Sequence, residues 1–144
     1  MIAIAQYRKY WESMVERVDG LREAVPLTVE ANMADKVGRI RLEDTPVLFY
    51  MPPSAEGKGN VDSFAEDNLC VVFVMQKYNP RITTGDRVLE ETQPVAETVK
   101  RLLLADSSTG CHFLNAAPGS MSTLPETEFF GDWAGWSIAF TTQS

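Results

Sequence analysis

Histidine and cysteine are scarce here: the 144 residues hold one His and two Cys. A lone His112 cannot build the multi-histidine sites of catalytic zinc, and Cys70 and Cys111 form no Cys-x-x-Cys pair. The chain also lacks a Gly-x-Ser-x-Gly elbow and a Gly-x-Gly-x-x-Gly fingerprint. Gly57-Lys58-Gly59 misses the earlier Gly of a phosphate loop, and Gly59 and Asn60 stand where Ser or Thr should follow the Lys. No apolar run approaches the roughly 20 residues of a membrane-spanning helix. The N-terminus, Met1-Ile2-Ala3-Ile4-Ala5-Gln6, turns polar too early for a secretory h-region, so cytoplasmic synthesis and reduced thiols are expected. Positive charge is in deficit, with 13 Lys and Arg against 20 Asp and Glu and a net charge of −7. That balance opposes wrapping of nucleic acid, which needs clustered cations. It suits a surface past which DNA moves without sticking.

What is present reads as one domain, large enough to bury about 68–70% of the surface that the unfolded chain would expose. Its centre is Leu69-Cys70-Val71-Val72-Phe73-Val74-Met75, a β-branched, apolar run that predicts a strand buried on both faces. On such a strand Leu69, Val71, Phe73 and Met75 face one way, and Cys70, Val72 and Val74 the other. A second run, Val47-Leu48-Phe49-Tyr50-Met51, lies between Pro46 and the Pro52-Pro53 pair and predicts a neighbouring strand.

Two helical patterns supply cover. Ile4, Tyr7, Trp11, Met14, Val15, Val18, Leu21 and Val25 recur at steps of three or four and predict an amphipathic helix that Pro26 stops, with Gly20 as a weak point. Val88, Val95, Val99, Leu102 and Leu103 predict another. There Pro94 either opens the helix or kinks a longer one that begins near Asp86. Leu27–Arg41 fits a strand or a short helix equally well. Ser54–Asp67 reads as a long loop. Thr127–Phe130 and Gly135–Thr141 predict a closing hairpin around Gly131-Asp132-Trp133-Ala134. The expected fold is therefore α+β, a single domain over 1–144 with a mainly antiparallel or mixed sheet, two packing helices and the order α-β-β-α-β-β.

No catalytic, cofactor-binding or metal-ligating residue is assigned. A Cys–His nucleophile on Cys111 fails because adjacent strand residues point to opposite faces. Cys70 sits in an apolar strand that disfavours the thiolate. Trp133, beside Asp132 in the expected turn, has three readings: a subunit contact, a sugar-stacking platform, or a ring folded back over the sheet. A doubly apolar central strand with only two good helices leaves one set of side chains to bury. A neighbouring subunit could cover Val72 and Val74, and the Ser54–Asp67 loop, Phe64 included, could reach the same neighbour. The expected subunit-interface residues are thus Trp133, Asp132, Phe64, Val72 and Val74.

Thr45-Pro46-Val47-Leu48-Phe49-Tyr50-Met51-Pro52 before a polar loop, the Val71–Gln76 strand, Val99-Lys100-Arg101-Leu102-Leu103 and the closing Gly135-Trp136-Ser137-Ile138-Ala139-Phe140 together resemble small bacteriophage neck and tail-completion (tail terminator) proteins, of the prophage type found in Bacteroidota. The resemblance covers residues 40–142. It implies a structural, non-enzymatic subunit without cofactors, forming a homo-oligomeric ring, often sixfold, that caps a tail tube and meets tube or neck proteins. DNA would at most pass through an acidic lumen, no membrane would be involved, and the subunit would end in a virion or tail-like particle. The alternative is a monomeric ligand- or carbohydrate-binding module that uses an exposed Trp133.

Overall fold

A computed structural model describes residues 1–28, 32–109, 114–128 and 130–143. They form one α+β domain: a six-stranded mixed sheet with three α-helices. The helices are α1 (Ile4–Arg17), α2 (Met33–Gly38) and α3 (Gly85–Thr109). The strands are β1 (Ala24–Pro26), β2 (Val47–Tyr50), β3 (Glu56–Lys58), β4 (Ala65–Lys77), β5 (Ser122–Glu126) and β6 (Trp133–Gln143). Their order across the sheet is β1-β2-β4-β6-β5, with β3 paired to the start of β4. Among the described residues only the β1–β2 pair is parallel.

The predicted central strand is the spine of the sheet. β4 extends beyond the apolar run at both ends and pairs with β2, β3 and β6. Its side chains alternate as expected. Cys70, Val72 and Val74 join Leu48, Tyr50, Ile138 and Phe140 on the face covered by α1 and α3. Tyr7, Tyr10, Trp11 and Met14 come down from α1, and Ala96, Val99 and Leu103 from α3. Edge-to-face contacts of Trp11 with Tyr7 (5.9 Å) and Tyr10 (5.0 Å) fill the space above the strands.

A Tyr10–Asp106–Arg17 cluster fastens the two helices together. Arg17 reaches the Asp106 carboxylate with both terminal nitrogens at 2.7 and 2.9 Å, and the Tyr10 hydroxyl donates to it at 2.7 Å. Buried polar groups are tolerable only when paired in this way.

Several sequence expectations need correction. The first helix ends at Arg17, not at Pro26. Val18 is already extended, the chain turns through Gly20 in the left-handed region (φ 97°), and Val25 lies in β1. Leu21 still reaches the core, which is why the apolar spacing ran on past the helix. The undecided stretch contains the short helix α2. The Ser54–Asp67 loop contains β3 and a hairpin. The closing hairpin is β5 with β6, and β5 lies earlier than Thr127–Phe130. Positive φ at Phe130 (47°) and Gly131 (83°) places the turn just before Trp133, so Trp133 begins β6 rather than sitting in the loop. Pro94 lies inside one continuous α3, the longer of the two readings.

Gly135 is dictated by contact. A Cβ there would come within 1.9 Å of the Val74 carbonyl oxygen, so β6 crosses β4 closely only because the side chain is absent.

Candidate interaction surfaces

The second face of the sheet is covered at one end only. There α2 brings Met33 and Val37 onto Val47, Phe49, Met75 and Trp133. Trp133 is 1% exposed and meets Phe49 edge-on at 5.4 Å. It is neither a sugar platform nor a subunit contact, because strand parity turns it inward beneath α2. Val72 and Val74 are also corrected. Both are fully buried under α1 and α3, so they belong to the core and not to an interface. Asp132 is exposed, its carbonyl accepting from Tyr78 N–H at 3.0 Å. Phe64 is 64% exposed.

Towards the β3–β4 end the same face is open. Leu69 is 50% exposed and Leu124 is 57% exposed, with Val71 and Ala139 half-buried between them. The register puts all four on one face, through Val71 opposite Ala139, Leu69 opposite Thr141 and Leu124 opposite Ser137. Sequence reasoning found the doubly apolar strand but chose the wrong set as the uncovered one. The signal was Leu69 itself, next to the polar Glu66-Asp67-Asn68.

From this end projects the β3–β4 hairpin. Its tip is built by Gly59 in the left-handed region (φ 88°), where a Cβ would strike the Ser63 carbonyl, and by Asn60. The Asn60 side-chain oxygen accepts from the backbone N–H of Asp62 and of Ser63, both at 3.0 Å, an Asx turn that fixes the loop. Val61 at the apex is 99% exposed. Farther down, Lys58 pairs with Asp67 at 3.0 Å and the N-terminal amine pairs with Glu66 at 2.7 Å. The Phe64 ring lies over Gly57, where an added Cβ would come within 2.9 Å of it.

At the opposite end of the sheet is an open cleft of about 470 Å³ lined by Arg22, Glu23, Lys36, Arg39, Ile40 and Asp44. Backbone bonds from Arg22 N–H to the Pro46 carbonyl and from Leu48 N–H to the Glu23 carbonyl hold one wall against β2. Lys77 braces the other wall by donating to the carbonyls of Gly38 and Ile40. Asp44 is engaged by Arg41 at 3.0 Å. Among the described residues no carboxylate pairs with the guanidinium of Arg22 or Arg39. A smaller, more apolar hollow of about 170 Å³ lies nearby, between Leu42, Tyr78, Ile82 and Val88.

The thiol and the aromatic hydroxyls sit in the core. Cys70 is a free, buried thiol whose pKa is pushed up to about 11 by burial. Burial likewise raises Tyr7 and Tyr10. Such a thiol is a packing residue, not a nucleophile. Cys111 and His112 lie outside the described residues. Among the described residues no three His, Cys, Asp or Glu side chains gather as metal ligands, and no helix is long and apolar enough to cross a membrane. No family model and no curated protein matches this chain.

Proposed function

We propose that this chain is a structural subunit that self-associates into a ring at the neck end of a phage tail or tail-like tube. The observation that carries the reading is the open half of the second sheet face. On a strand whose other residues are buried or half-buried, Leu69 is half exposed, and Leu124 and Val71 continue the apolar strip. A soluble domain rarely leaves a contiguous apolar strip on a sheet unless something docks there. The projecting hairpin adds reach at that same end. The resemblance of Thr45–Pro52, Val71–Gln76, Val99–Leu103 and Gly135–Phe140 to tail terminator proteins supplies the tail context. In that context the subunit turns out of the cytoplasm into a virion, and its partners are further copies and tube or neck proteins. The net charge of −7 suits a lumen that lets DNA slide, since phosphates are repelled.

Native mass spectrometry of the full chain tests the reading. A closed oligomer, sixfold on the tail terminator resemblance, is the expected result, alone or with the tube protein of the same particle. A strict monomer under both conditions overturns it.

A further inference from the structure

The hairpin tip and the cleft are complementary in charge, and they lie at opposite ends of the sheet. We propose that the Asn60–Ser63 tip of one copy seats in the Arg22–Arg39 cleft of the next, the Asp62 carboxylate between the two guanidiniums and Val61 against Ile40. This inference rests on the ring reading and specifies its contact.

Distance rules out the same pairing within one chain. Val47 pairs with Met75, which puts the cleft at the end of β4, whereas the hairpin leaves its start at Ala65. Ten residues of strand separate those two points, roughly 33 Å at strand rise. A donor at one end and an acceptor at the other define a head-to-tail contact, the type that closes into rings when the rotation allows.

Charge selects the occupant. In a chain of net charge −7, Arg22, Lys36 and Arg39 outnumber Glu23 and Asp44 around one cleft, Asp44 is engaged by Arg41, and Arg22 and Arg39 have no carboxylate partner among the described residues. At the tip the position is reversed. Asp62 and Glu56 pair with no cation among the described residues, while Lys58 is already taken by Asp67. The Asx turn and the left-handed Gly59 fix the tip, so little ordering is needed on docking. Arg guanidiniums favour a planar carboxylate, and a single apex acid fits a cleft of this size.

Charge swaps on the full chain test the proposal, read by sedimentation velocity and native mass spectrometry. Asp62→Arg and Arg39→Glu change exposed side chains, so their melting temperatures should match wild type. Each alone should weaken self-association by about tenfold or more, and the two in one chain should restore it. Wild-type assembly should also weaken as NaCl rises. If wild type forms rings that neither substitution disturbs, the tip–cleft contact is wrong and the ring reading stands. If wild type never assembles, alone or with the tube protein, both fall. Salt-sensitive binding of duplex DNA that is lost in Arg39→Glu, with self-association unchanged, would assign the cleft to phosphate and overturn the proposal.

Discussion

Burial around Cys70 makes stability depend on alkali. Its thiol is held at about 11 in the folded chain against an ordinary value of 9.0, so the native state keeps a proton that the unfolded state gives up. The raised value stabilises fully below pH 9, and that stabilisation is lost as pH rises from about 9 to 11, an effect on the order of 2–3 kcal/mol. Tyr7 and Tyr10 are raised in the same sense by burial and extend the loss to higher pH. Thermal melts between pH 8 and 10.5 should therefore show a falling midpoint, and Cys70→Val should flatten the first part of the fall. In a Cys111→Ser background the native thiol should resist iodoacetamide at pH 8 and react on unfolding. A native Cys70 that reacts freely would contradict the core placement.

At the scale of elements, the join between α1 and α3 is the testable feature. Asp106 is buried and satisfied by Arg17 and Tyr10, while the Arg17 side chain remains about a third exposed. Asp106→Asn keeps the volume but gives up the charge-assisted bonds to Arg17. Breaking a fully buried pair costs about 3–5 kcal/mol. Solvent reaches Arg17, so about 2 kcal/mol is the better expectation, or roughly 6 °C in melting temperature at this length. Replacing both partners, as Arg17→Met with Asp106→Leu, should cost less than the sum of the single changes. Additive losses in chemical denaturation would show that the cluster does not act as a unit.

The same elements show what a reader of the sequence could reach. The alternation through Leu69–Met75 and the α1 stripe were legible, because each depends on local periodicity, whereas Pro94 left two readings of α3 open and only the packed helix decides for the longer one. Strand β3 was not. Glu56-Gly57-Lys58 carries no apolar signal and exists only because the start of β4 offers it a ladder. Trp133 was misplaced because Gly131-Asp132 is a strong turn signal, while the residue that begins the turn is Phe130, a bulky side chain with positive φ. The Arg22–Arg39 cleft depends on β1 running parallel to β2 and on α2 folding back, and neither leaves a mark at short range in sequence.

For the whole molecule, the decisive matter is which face of β4 meets another chain. Sequence alone put Val72 and Val74 there. The fold assigns them to α1 and α3, and gives the open position to Leu69 and Leu124. The two assignments make opposite predictions for charged substitutions. Val72→Asp places a carboxylate in the buried apolar cluster that holds Tyr7, Trp11 and Val99, and should unfold the domain, because an unpaired buried charge costs several kcal/mol against a total of about 5–15. Leu69→Glu places a charge on half-exposed surface. It should leave the melting temperature within about 1–2 °C of wild type, as a surface change does. If the open strip is where copies meet, Leu69→Glu with Leu124→Glu should still abolish the oligomer, because like charges would face a desolvated contact. Circular dichroism melts paired with native mass spectra separate the two effects. A soluble, folded Val72→Asp variant that fails only in assembly would restore the other face as the interface. A folded Leu69→Glu/Leu124→Glu variant that still forms the wild-type ring would remove the open strip from the contact, leaving the hairpin and the cleft to hold the copies together.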